Sequence, residues 1–221
     1  MMPEPLIEAG TNAMFIVSKR FTKCNVPDEP HFDDRSTQYF MEKINNSAFY
    51  VEYGTGGSTV QAAKWGKPFV AVDSDKVFMN SVRAKIGNLK HDQHLVHVNI
   101  GITGLWGIPL FKTPKPNRVR KWMSYPQAPW RLIGDTRLPD LILVDGRFRV
   151  ACALTSIKYM SKEPSNALLL VDDYADRPHY RIIERFAQLE RMVGRMAVFS
   201  FVPAAGPELE AELERHYSDW R

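Results

Sequence analysis

Tyr50-Val51-Glu52-Tyr53-Gly54-Thr55-Gly56-Gly57-Ser58-Thr59 is the stretch whose reading decides the fold. Residues 48–53 read as a short apolar strand that ends in an acid, after which the chain makes a glycine turn. Gly54 and Gly56 can take positive φ angles or leave bare backbone for a ligand to press against. Residues 58–65 then open a helix, whose first amide groups have no partner inside the helix and face whatever occupies the turn. Nineteen residues past Gly54, a second apolar strand, 68–72, ends in Asp73. An acid at that spacing can bind the hydroxyls of a ribose.

The residues beside the glycines discriminate between nucleotide-type ligands. A dinucleotide site sets its pyrophosphate against the helix terminus and uses a third glycine for close helix packing. Here that third position is Ser58, and Glu52 stands just before the turn. An acid there repels a pyrophosphate and suits a ligand that carries an ammonium group.

Strand, acid, glycine turn and second acid together resemble the class I S-adenosylmethionine-dependent methyltransferases, in the pattern Glu52-x-Gly54-x-Gly56. The resemblance implies that Gly54, Thr55, Gly56 and Gly57 line the methionine part of the cofactor, with Ser58 opening the helix beside them. It also implies that Asp73 holds the ribose and that Glu52 faces the cofactor's amino end, directly or through water. Ser58 departs from the family, which usually has glycine there. Asn99, at the end of the third expected strand, falls where relatives contact the adenine; a turn-forming asparagine is the other reading of that residue.

Composition agrees with one α/β domain over residues 1–221, since 221 residues with 44% hydrophobic content can bury a full core. No apolar run approaches membrane-spanning length, and the first residues, with Glu4 and Glu8, lack a signal-peptide pattern. Two cysteines, Cys24 and Cys152, cannot make a disulfide framework, so a cytoplasmic location is expected.

Strands and helices alternate along the chain in the order that builds a parallel sheet. Residues 1–36 read as an irregular extension that wraps one edge, and 38–45 as a helix before the first strand. Residues 76–86 have helical spacing, with Val77, Phe78, Val82 and Ile86 on the expected buried side. Strands are expected at 95–100, 141–144, 167–171 and 197–202, and helices at 150–160, 181–192 and 207–217. The resemblance covers about 48–202 and implies a Rossmann-like three-layer α/β/α sandwich: a seven-stranded, mostly parallel sheet with one antiparallel strand.

Leu141-Ile142-Leu143-Val144-Asp145-Gly146, a helix, and then Leu168-Leu169-Leu170-Val171-Asp172-Asp173-Tyr174 look like the catalytic half of many small-molecule O-methyltransferases. In those relatives an Asp-Gly-Asp-His type motif ends the fourth strand, whereas this chain has Asp145-Gly146-Arg147-Phe148-Arg149. Both strand ends lie beside the cofactor crevice. Asp145, Asp172 and Asp173 converging there could hold a magnesium ion that lowers a hydroxyl's pKa. Arg147 and Arg149 would instead grip a carboxylate or phosphate of the substrate, or neutralise Asp145 and make a metal unnecessary. The candidate catalytic set is therefore Asp145, Arg147, Asp172 and Asp173, with the three acids as metal ligands if a metal is used.

Residues 101–138 form a basic, aromatic flap between the third and fourth strands. It holds Lys112, Lys115, Arg118, Arg120, Lys121 and Arg131 with Trp106, Trp122 and Trp130, and prolines 109, 114, 116, 126 and 129 argue against a long helix. The flap is expected to cover the crevice, either as an anionic or aromatic substrate site or with its tryptophans packed on the core and its cations solvated. Nucleic acid is not favoured, because the net charge is only +4 and Glu208, Glu210, Glu212 and Glu214 oppose a broad basic footprint. His91, His94 and His97 read as solvated or core-edge residues, since a strand carries His97 away from the other two.

The reading is a methyltransferase that uses S-adenosylmethionine on an oxygen or nitrogen of a small, anionic acceptor. The alternatives are an inactive binding module of the same fold, an RNA methyltransferase, or a nicotinamide-dependent oxidoreductase. The sequence is silent on oligomeric state.

Overall fold

In the computed structural model, residues 24–134, 137–162, 165–203 and 206–221 are described. Four apolar runs become the centre of the sheet: β1 (Tyr50–Tyr53), β2 (Phe69–Asp73), β4 (Leu141–Val144) and β5 (Leu168–Val171), with β3 (Gln93–His97) outside β2. β1, β2 and β4 are buried along their whole length, as parallel strands covered on both faces must be. The seven strands lie in the order β3-β2-β1-β4-β5-β7-β6, with β6 (Ala187–Val193) at the edge. Only β7 (Met196–Phe201) runs antiparallel to its neighbours, as the sequence implied. The order reverses between β1 and β4, so the crevice opens where those two strands end.

Helices close both faces. On one side α1 (Asp34–Asn46) and α2 (Gly57–Lys64) bury Phe40, Ile44 and Ala62 against the sheet, and α3 (Lys76–Ile86) packs beside α2. On the other, α4 (Pro116–Ile133), α5 (Arg149–Met160) and α6 (Gly206–His216) bury Trp122, Trp130, Leu154, Ile157, Leu209 and Leu213. Asp33 caps α1 by accepting from the amides of Arg35 and Ser36, each at 3.1 Å. The helix thus begins inside the segment read as irregular, of which residues 1–23 lie outside the described residues.

Three local expectations are corrected. The flap is not irregular throughout, because α4 runs for 18 residues across Pro126 and Pro129. Pro116 sits at its first turn, where a missing amide costs nothing, and Trp122, Tyr125, Pro126, Pro129, Trp130 and Ile133 form one buried stripe at helical spacing. Burial of that stripe outweighs the proline penalty, and the Pro126 carbonyl finds the Tyr53 hydroxyl at 2.6 Å. The helix expected at 181–192 is a 3-10 segment, Pro178–Arg185, followed by β6. A turn at Gly194, with φ 57°, folds β6 back on β7, and pairing along that edge overrides the helical spacing. On α3 the buried residues are Met79 and Val82, while Val77 is exposed.

The ends of β1 and β4 touch through two glycines. A Cβ on Gly54 would lie 2.7 Å from the Gly146 amide nitrogen, and one on Gly146 would lie 2.4 Å from the Tyr125 hydroxyl and 2.8 Å from the Gly54 nitrogen. Gly54 also has φ 98°, which side chains avoid. Gly146→Ala is therefore expected to lower unfolding stability by about 3 kcal/mol, read as a drop in the urea midpoint. An unchanged midpoint would mean that the two strand ends are free to separate.

Candidate active site

The first turn of α2 is tied to β1 by the acid before the glycines. Glu52 is fully buried, and Ser58 and Thr59 each donate a hydroxyl to one of its oxygens, Thr59 at 2.7 Å. The Thr59 hydroxyl also accepts from the Gly56 amide at 3.0 Å, which closes the turn. Burial pushes the Glu52 carboxyl up to about 8, against the pull of the Ser58 and Thr59 hydrogen bonds. Both oxygens thus point at the helix rather than at open space.

Asp73 organises the neighbouring strand end. One of its oxygens accepts from the amide of Thr55 at 2.8 Å and its hydroxyl at 2.7 Å, and the other accepts from the amide of Asp75 at 2.7 Å. Burial raises its pKa from the ordinary carboxylate value, although these bonds oppose it. Beside it the backbone of Gly56 is bare, with open space where a Cβ would sit. An acid at a strand end next to bare backbone at a helix N-terminus fits a nucleoside donor with an amino-acid tail. Asn99 lies past the end of β3, exposed, and accepts from the Gly101 amide at 3.0 Å, as a turn-former does.

Residues 24–33 lie across the turn. A Cβ on Gly57 would fall 1.9 Å from the Glu29 carbonyl oxygen, so only glycine lets this segment pass. Gln61 donates to the Asp28 carbonyl at 2.7 Å, and Lys85 holds the Val26 carbonyl at 2.6 Å and the Asp28 carboxylate at 2.8 Å. The flap reaches the same place from the other side. Gly107 lies over Ser74 and beside the Arg147 side chain, and the exposed Trp106 ring stands 6.2 Å from that of His31.

At the ends of β4 and β5, three carboxylates meet three guanidiniums, with a fourth, Arg147, in the same loop. Arg149, buried to 4% side-chain exposure, takes the carboxylates of Asp145 at 3.0 Å and Asp173 at 3.1 Å. It also donates to the carbonyls of Gly146 at 3.0 Å, Asp172 at 2.7 Å and Asp145 at 3.0 Å. Arg195 spans both oxygens of the fully buried Asp172, at 3.0 and 2.8 Å, and reaches Asp173 at 3.2 Å. Arg177 completes the set on Asp173 at 3.1 Å. Although burial opposes it, Arg149, Arg195 and Arg177 hold Asp173 below the ordinary carboxylate range. Asp145 goes the other way: burial, helped by Asp172 and Asp173, pushes it up against the pull of Arg149.

Arg147 stands apart. Its Nε is buried and has no hydrogen-bond partner among the described residues, nor does its guanidinium ion-pair with any of them. Arg149 is thus the guanidinium paired with Asp145, while Arg147 makes no ion pair with a described residue.

These partners bear on magnesium. Each of the three acids already carries at least one guanidinium, and the described residues hold no cluster of three or more metal-ligating side chains. The donor set does not fit a magnesium ion, and the expectation of one is not supported. Of the flap tryptophans, Trp122 donates its indole N–H to the Ile100 carbonyl at 3.1 Å and Trp130 to the Tyr53 hydroxyl at 2.8 Å. Both pack into the core, and Arg120, Lys121 and Arg131 lie on the exposed side of α4. A 430 Å³ groove lined by Lys43, Asp140 and Ser165 opens at the amino edge of the sheet, far from these strand ends.

Neither a family model nor a curated protein matches the chain. Among solved structures, a methyltransferase-like protein from Silicibacter pomeroyi is 31% identical, with a TM-score of 0.73 over 86% of this chain and 97% of that one. An O-methyltransferase from Bacillus cereus in complex with SAH is 15% identical, with a TM-score of 0.46 over 86% of this chain and 91% of that one. A methyltransferase from Geobacter sulfurreducens is 13% identical, with a TM-score of 0.45 over 91% of each chain. The sheet order and the glycine turn define the class I methyltransferase fold. With the Silicibacter relative, they place the chain plainly: it belongs to the class I S-adenosylmethionine-dependent methyltransferases. No helix among the described residues is long and apolar enough to cross a membrane.

The sequence reading missed Arg195, Arg177 and Tyr180. Reading 181–192 as a helix hid the hairpin that carries Arg195 to the Asp172 carboxylate; Gly194, just past that segment, was the available signal.

The protonated state of Glu52 is measurable. Its pKa is raised from 4.5 to about 8 on folding, so between those values the native state holds a proton that the unfolded chain has lost. Stability must then fall as pH rises through that window. Glu52→Gln is expected to flatten this slope and to exceed the wild type at pH ~8.5 by on the order of a few kcal/mol, with little advantage near pH ~5. Urea denaturation at both pH values reads the difference, and parallel slopes would refute a neutral Glu52.

Proposed function

We propose that the protein transfers the methyl group of S-adenosylmethionine to an oxygen or nitrogen of a small anionic acceptor. The observation that carries the acceptor class is Arg147. Three carboxylates are matched by Arg149, Arg177 and Arg195, and Arg147, half-buried next to them, keeps a charge that an anionic group of the acceptor would balance.

When bound, the donor supplies an electrophilic methyl group. Asp73 and the bare backbone of Gly56 hold its nucleoside and amino-acid ends, with Thr55 orienting Asp73 and Glu52 fixing the turn through Ser58 and Thr59. Arg147 anchors the acceptor beside the ends of β4 and β5, which sets its nucleophile in line. The acceptor atom would give its lone pair to the methyl carbon as the methyl–sulfur bond breaks, its electron pair staying on sulfur to leave S-adenosylhomocysteine, and the acceptor's proton would pass to the Asp145 carboxylate. The raised pKa of Asp145 suits a base working near neutral pH. Asp172 and Asp173 serve through the arginines they hold. The flap and residues 24–33 keep water from the crevice.

Calorimetric titration with S-adenosylhomocysteine and with the nicotinamide cofactors, followed by measurement of S-adenosylhomocysteine formed from S-adenosylmethionine over a panel of anionic acceptors, tests this reading. S-adenosylhomocysteine is expected to bind and the nicotinamides not. Asp145→Asn should lower kcat by about 10²–10⁴ with little change in KM, and the wild-type rate should rise with pH above the ordinary carboxylate range. Donor binding without turnover on any acceptor would make the protein a binding module.

A further inference from the structure

Tyr180 is the second buried group beside the arginine cluster that lacks a partner. It lies in the Pro178–Arg185 segment, fully buried, and its hydroxyl has no hydrogen bond to any described residue. The ring itself is well held. Arg177 stacks on it at 5.6 Å, and the Tyr174 and His179 rings lie 6.2 and 4.6 Å away. The Arg177 over the ring also holds the Asp173 carboxylate that Arg149 takes, which sets Tyr180 beside the strand-end loop that carries both Arg147 and Arg149. Burial keeps the phenol protonated, hence a donor.

A buried donor without an acceptor is costly, and two in one place are rare in a folded protein. Arg147 Nε and the Tyr180 hydroxyl are both donors. The nearby carboxylates cannot serve them, because Asp145, Asp172 and Asp173 are held by Arg149, Arg177 and Arg195. What is missing is one acceptor oxygen. The charge on the cluster sets the ligand's charge as well: with Asp145 in the ionised form that its role as base requires, three carboxylates against four guanidiniums leave one positive charge, which matches a monoanion rather than a phosphate dianion.

We propose that Arg147 and Tyr180 form a carboxylate subsite, in which Nε and the phenol hydroxyl donate to the same end of the methyl acceptor. The proposal rests on the acceptor reading above and adds to it the functional group, its monoanionic charge and a second binding residue. Tyr180 is thereby a second binding residue, and discrimination against a neutral amide rests on Arg147, since the amide carbonyl can accept from both donors but leaves the guanidinium charge unbalanced.

Calorimetric titration of the full chain with benzoate, benzamide and inorganic phosphate, each with and without S-adenosylhomocysteine, tests it. Benzoate is expected to bind and benzamide not. Tyr180→Phe should weaken benzoate about tenfold or more while S-adenosylhomocysteine affinity and the thermal midpoint hold or the midpoint rises. Arg147→Gln should abolish benzoate binding. Equal benzoate affinity in Tyr180→Phe and wild type overturns the subsite and leaves the hydroxyl as a buried defect. Benzamide binding as tightly as benzoate, phosphate binding in its place, or no benzoate binding at all also overturns it. If S-adenosylhomocysteine fails to bind but benzoate still discriminates between Tyr180→Phe and wild type, the methyl-donor reading falls and the carboxylate subsite stands.

Discussion

Arg149 is the interaction on which the catalytic edge depends. One guanidinium, almost wholly out of water, ties the end of β4 to the end of β5 by holding carbonyls of Asp145, Gly146 and Asp172 and carboxylates of Asp145 and Asp173. Burying that charge is expensive, and the cost is met only because nearly every donor finds an oxygen. A lysine, with a point charge and three donors, could not span the same set. The loop between β4 and α5 therefore has one geometry. Phe148, at φ 55°, is held in it by packing against Trp122 and Tyr125.

The cluster also divides labour among residues that look equivalent on paper. Asp145, Asp172 and Asp173 end neighbouring strands, yet their surroundings send them in different directions. Asp173 faces three guanidiniums and stays ionised. Asp145 meets one, with two like charges nearby, and holds its proton more tightly. That asymmetry is what acid–base chemistry needs, and no ion is required to create it. Arg147 and Phe148 stand where the Asp-Gly-Asp-His type motif has its second acid and its histidine. Of the two, Arg147 keeps a buried Nε without a hydrogen-bond partner among the described residues.

Sheet and crevice were legible in the sequence because their signals are local. Leu141–Val144 and Lys76–Ile86 have the bounds expected of them, since a continuous apolar run makes a buried parallel strand and Asp75 caps a helix whatever lies around it. What was not legible depends on distant contacts. α4 survives two prolines because Tyr53 and Ile100, remote in sequence, satisfy its groups and bury its stripe. β6 is a strand because β7 offers it an edge, and no spacing within 181–192 encodes that. The partner of Asp172 was hidden for the same reason: Arg195 reaches it only once the hairpin has formed.

Glu52 shows how a residue can mark a site without facing the ligand. As the acid before a glycine turn it suggests a partner with an ammonium group, whereas its oxygens are bound by Ser58 and Thr59 and its surroundings favour the neutral form. Its effect on a donor passes through the shape of the turn. Thr59 relays the Glu52 contact to the Gly56 amide, and Gly57, beside it, gives way to the Glu29 carbonyl of the segment lying above. That segment continues to His31 and Asp33, whose carbonyl and carboxylate are held by Arg195, the same arginine that neutralises Asp172. The glycine turn and the arginine cluster are thus joined through one stretch of backbone. Any shift of residues 28–33 must disturb the glycine turn and the arginine cluster together.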